Sequence, residues 1–98
     1  MTKLEEMWVE FEKHQSKADD NGHGKSWAEM CSLRTEEACK AAARAAYTAA
    51  VLAVDAVCGG FAAAADAAAD ALAYAANAEY WKQAAIHRIN KATGETND

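Results

Sequence analysis

The stretch Asn21-Gly22-His23-Gly24-Lys25-Ser26 ends in Gly-Lys-Ser, the order with which a phosphate-binding loop closes on a nucleotide. Glycine admits the oxyanion to the backbone amides, lysine supplies charge, and the hydroxyl reaches a metal. The full loop needs a glycine at position 19, where this chain has Asp19. It should also follow a buried strand, whereas Glu10, Glu12 and Lys13 precede it at helical spacing. A nucleotide-hydrolysing loop is therefore excluded. Two readings remain. In one, a helix N-terminus offers free amides to an anion, with Gly22 and Gly24 allowing close approach and Lys25 adding charge. In the other, Ser26-Trp27-Ala28-Glu29 is a capping box and the glycines make only a turn.

Aromatic and basic residues could complete the first reading. Trp8 and Phe11 lie on a segment that must pack nearby. His23 and Trp27 flank Lys25, and Arg88 approaches with His87 and Lys91 if the chain folds back on itself. Cations beside aromatic rings can hold a phosphate and stack a base. The plainer assignment makes Trp8, Phe11 and Trp27 core residues and the cations a helix C-terminal cluster. Other chemistry is less supported. Cys31 and Cys39, or His14 and His23, are too widely spaced for a zinc-ligand pair. Cys31 could meet His87, but no third group is evident to orient the imidazole. The expectation is a protein without a catalytic residue, metal or cofactor.

Composition indicates how these residues are carried. There is no proline in 98 residues and 27 are alanine, which favours long helices. Leu4, Met7, Trp8 and Phe11 recur at helical spacing, so a short amphipathic helix is expected over about 2–17, followed by a loop over 18–25. A second helix is expected over about 26–58, with Thr35-Glu36-Glu37 as an alternative start. Gly59-Gly60 reads as a left-handed stop and turn. A third helix is expected over about 61–92, then a polar tail over 93–98.

The fold class is therefore all-α: a short N-terminal helix on a long antiparallel two-helix hairpin, a single domain. Turning at Gly59-Gly60 sets Lys40 against Glu79, Glu37 against Lys82, Leu33 against Ile86, Met30 against Ile89 and Tyr47 against Leu72. Ala38, Ala42, Ala45, Ala49 and Ala56 would then line one side of the seam, and Ala64, Ala68, Ala71 and Ala75 the other. Asp66, Asn77 and Arg88 recur every 11 residues as a solvated stripe. Tyr74, Tyr80 and Trp81 face outward as a candidate partner surface.

This layout resembles the phage sponge proteins that sequester the cyclic nucleotides of bacterial CBASS immunity. The resemblance rests on an aromatic first helix, a Gly-Lys-Ser loop and a long helical hairpin. It implies an all-helical oligomer with a ligand held between protomers by Phe11, Lys25 and Ser26. The long alanine runs depart from that pattern, and Phe11 lacks the hydroxyl of a tyrosine.

The remaining composition restricts partners. A net charge of -5 argues against wrapping duplex nucleic acid. No uncharged run exceeds ten residues, below the roughly 18 to 20 that span a bilayer. An odd three cysteines without framework spacing fit a reducing cytoplasm. With so much alanine the core is thin, and a homo-oligomeric bundle is expected. The expected function is non-enzymatic binding of a small anionic ligand such as a cyclic nucleotide. The alternative is a protein–protein inhibitor or adaptor acting through Tyr74, Tyr80, Trp81 and the acidic face of the third helix.

Overall fold

The structure is a computed structural model that describes residues 4–53 and 56–94. Among the described residues there are six α-helices and no strand: α1 (Glu5–Glu12), α2 (Gln15–Asp20), α3 (Gly24–Leu33), α4 (Glu36–Ala53), α5 (Ala56–Ala73) and α6 (Ala78–Thr93). A 3-10 turn (Ala75–Asn77) precedes α6. The expected termini at positions 2–3 and 95–98 lie outside the described residues.

The helical class is as composition predicts, but the hairpin is not where the glycines suggested. Gly59 and Gly60 sit inside α5. A Cβ at Gly60 would overlap the Ala92 methyl, so this glycine lets α6 close on α5 and makes no turn. A Cβ at Gly59 would meet nothing within 4 Å. α4 ends at Ala53 and α5 begins at Ala56; Val54 and Asp55 lie outside the described residues. Tyr47 with Ala62, and Arg44 with Asp66, line one cleft, which makes α4 and α5 antiparallel. A second reversal follows Tyr74, whose N–H donates to Asp70 O at 2.9 Å. In α6, Ala78, Lys82, Ala85 and Ile89 bury at helical spacing, and Arg88 Nη1 reaches Ala63 O at 3.4 Å. Burying that face on α5 outweighs the helix propensity of Ala75 and Ala76.

The register expected across Gly59-Gly60 is consequently replaced. Lys40 pairs with Glu36 at 2.9 Å, and Lys82 with Glu79 at 2.9 Å and Glu6 at 3.4 Å. Ala56 and Ala75 are exposed instead of lining a seam. Asp66, Asn77 and Arg88 fall on three different segments, so no continuous stripe forms.

The two other expected helices also divide. The first breaks at Lys13-His14, where His14 Nε2 donates to Asn90 Oδ1 at 3.1 Å. The second breaks at Arg34-Thr35, the alternative start. Arg34 is left-handed at φ 54°, and Thr35 Oγ1 accepts from the Ala38 amide at 3.2 Å, a helix cap.

α5 lies between α4 and α6 and buries Phe61, Ala62, Ala64, Ala65, Ala67, Ala68, Ala69 and Ala71, with Asp66 left exposed. By length and composition it could cross a membrane, with mean hydropathy 1.3, and half of it is buried within the fold.

Candidate functional site

The aromatics expected to stack a ligand are core residues. Trp8, Phe11 and Trp27 are 3%, 0% and 0% exposed. Phe11 and Trp27 stack with centroids 4.9 Å apart, and Trp27 meets Phe61 edge-on at 4.8 Å. Trp27 Nε1 donates to Phe11 O at 2.9 Å, satisfying its polar atom inside the core. His23 is buried with its ring edge-on to Phe61 at 4.9 Å. Phe11, His23, Trp27 and Phe61 join α1 and α3 to α5.

The Gly-Lys-Ser segment resolves toward a turn, with a different cap from the one expected. Gly22 adopts φ +86°, and α3 begins at Gly24 with no side-chain cap from His23. Ser26 is already inside the helix and half-buried, so the Ser26–Glu29 capping box does not form. A Cβ at Gly24 would overlap Asp19. Gln15 Nε2 holds this junction by donating to Gly24 O at 2.8 Å and to Asp19 Oδ1 at 2.9 Å. The Asp19 carboxylate thus already sits where a free anion would meet the positive end of α3. Lys25 points outward and is exposed.

Arg88 is exposed on α6. With Lys91 it borders a groove of about 360 Å³ whose walls include Val57, Gly60, Ala63 and Ala92. Lys25 is not among the residues that line this groove.

Cys31, considered as a nucleophile, is buried, whereas His87 is exposed. Burial pushes the Cys31 thiol up to about 12, and the Glu12 charge adds to this while Arg34 opposes it. The thiol is therefore protonated at neutral pH, the unreactive form.

The outward aromatics are placed as a group. Tyr74 and Tyr80 are 58% and 66% exposed. Trp81, expected to face outward with them, is instead half-buried against the core and lies edge-on to Tyr80 at 5.0 Å. All three residues belong to the junction where α5 gives way to α6.

A second surface was missed by the sequence reading. Lys40, Arg44, Tyr47 and Thr48 of α4 face Ala62 and Asp66 of α5 across an open cleft of about 550 Å³. Lys40, Arg44 and Tyr47 recur at the spacing of one helix face. That signal was legible, but the turn assigned to Gly59-Gly60 directed it against the wrong stretch of chain.

Comparison of the chain with protein-family models, with curated proteins and with solved structures returns no match.

Proposed function

We propose that this is a non-enzymatic binding protein whose partner is another protein, in the manner of an inhibitor or adaptor. Its working surface is the α5–α6 junction with Tyr74, Tyr80 and Trp81. The observation that carries this reading is how the fold sorts its aromatics. Phe11, Phe61, Trp8 and Trp27 are buried in one cluster, while Tyr47, Tyr74 and Tyr80 are all more than half exposed. Of the large apolar residues that the described fold leaves in water, three are tyrosines, two of them at one junction. Tyrosine and tryptophan supply apolar area with a polar tip and dominate interface energetics. The exposed carboxylates of Glu79 and Glu6 lie beside this patch on Lys82, so a partner with apolar anchors and a basic rim fits it.

Capture of a cyclic nucleotide at Lys25, which the resemblance implied, would require Trp8 or Phe11 to leave the core. Two arms of one experiment separate the readings. A photo-crosslinking residue at Tyr80 is expected to give a discrete protein adduct that is lost on Tyr74→Ala and absent from a probe at Ser32. Identical adducts from both positions, or none from Tyr80, overturn the proposal. Cyclic di- and trinucleotides are expected to leave the melting temperature unchanged. A rise that disappears in Lys25→Ala would replace protein binding with ligand capture.

A further inference from the structure

The cleft between α4 and α5 carries its charges sorted by helix. Lys40 and Arg44 line it from α4, and Asp66 lines it from α5. Lys40 is engaged by Glu36. Among the described residues, neither Arg44 nor Asp66 forms an ion pair within its own chain. The cleft floor is low because Ala43 and Ala62 form it, at 5% and 6% exposure. Its rim is high because Tyr47 stands on it, 64% exposed. The face therefore holds a protruding ring, a recess, a positive edge and a negative edge.

We infer that this face is a self-association surface, on which a second copy of the chain packs about a two-fold axis parallel to α4 and α5. Such a rotation lays the α4 of each copy over the α5 of the other while preserving height along the helices. Because α4 ends at Ala53 and α5 begins at Ala56, the antiparallel pair sets Arg44 close to level with Asp66 and Tyr47 with Ala62, all four on the same cleft. The second copy's arginine then meets Asp66 and its tyrosine enters the recess above Ala62, with both contacts made twice. This is the isologous pattern that closed dimers require. Segregated charge favours a second copy as the occupant: each helix edge already carries the complement of the other, and the face is locally balanced despite the net charge of -5. An alanine-rich domain of this size also gains stability by covering such a surface.

The test is sedimentation velocity over a concentration series, with circular dichroism verifying that each variant keeps its helix content. The wild type is expected to form a dimer. Arg44→Asp and Asp66→Arg should each weaken it at least about tenfold, because each sets like charges face to face at two symmetric positions. The double variant, Arg44→Asp with Asp66→Arg, should restore the dimer. Tyr47→Ala should weaken it and Tyr80→Ala should leave it unchanged, which separates this face from the α5–α6 junction. Monomer mass at every concentration up to about 0.1 mM, a dimer indifferent to both single reversals, or failure of the double variant to recover would overturn the inference.

Discussion

Trp27 joins three helices through one ring. It stacks on Phe11 of α1, meets Phe61 of α5 edge-on, and donates its indole N–H to the Phe11 carbonyl. Trp27→Ala should therefore cost about 3–5 kcal/mol from lost burial and an unfilled cavity. Trp27→Phe retains much of the ring but loses the indole hydrogen bond, while the Phe11 carbonyl keeps the His14 amide at 3.1 Å, so the cost is about 0.5–1.5 kcal/mol. In a domain of this size each kcal/mol moves the melting temperature by roughly 4–8 °C, so thermal melts should place the variants in that order. The thiols offer a pH test. Burial raises Cys31 and Cys39 from 9.0 to about 12. Their folded values lie above the unfolded ones, so the stability they contribute is complete below pH 9 and is lost as pH climbs from 9 toward about 12. Melting temperature should fall over that window, and the fall should be shallower in Cys39→Ala. Equal slopes in both proteins would show that the thiols are not its source.

At the scale of the element, the paired glycines make a sharp test. If Gly59 and Gly60 formed a left-handed turn, alanine at either position would be strained. Inside α5 the two must differ. Gly59→Ala meets open space and should stabilise by about 0.4–1 kcal/mol through reduced freedom of the unfolded chain. Gly60→Ala would drive a methyl into Ala92 and should destabilise by about 1–3 kcal/mol. Denaturant melts of the two single variants decide the matter, and destabilisation by both would favour the turn. The same contrast explains what could be read from the sequence. Abundant alanine and absent proline made the helical class legible, and Thr35-Glu36-Glu37 marked the start of α4. The breaks at Lys13 and Tyr74 were not legible: no glycine or proline marks either, and around Tyr74 alanine has the same small methyl on every face and gives a helix no preferred side. The register follows from close approach at Gly60, and an adjacent pair of glycines reads more readily as a stop. The candidate site followed the same division. Tyr74 and Tyr80 were correctly read as outward-facing, whereas Trp8, Phe11 and Trp27 could be separated from a ligand site only by knowing what they touch. Lys40, Arg44 and Tyr47 were visible as one helix face, but their partners on α5 depend on where the chain turns.

The whole molecule measures 36 × 32 × 18 Å, too short for the roughly 50 Å rods that two uninterrupted 33-residue helices would make. Three shorter helices in a layer, α4, α5 and α6, are capped by α1, α2 and α3, with α3 against α4, α1 against α6, and α5 met through Phe61. The cap is held by unequal ties. Trp27 and Phe61 form an apolar anchor at one point. Elsewhere α1 reaches α6 through Glu6 and Lys82, and the chain at the α1–α2 break reaches it through His14 and Asn90. At the far side of α1, Arg34 closes the cap on itself, pairing with Glu12 at 3.1 Å and lying 5.8 Å from the Trp8 ring centroid. Glu6 is 61% exposed at its side chain, and exposed pairs contribute about 0–1 kcal/mol. Lys82 also keeps Glu79 when Glu6 is removed. Combining Glu6→Gln with Asn90→Ala should therefore loosen α1 while leaving the α4–α5–α6 layer intact. Native-state hydrogen exchange would detect this as faster exchange at Trp8 and Phe11 amides, with the slowest amides of α5, around Ala64 to Ala68, unchanged. Uniform acceleration through α5 would mean that cap and layer unfold as one cooperative unit, with α1 as much a part of its stability as Trp27.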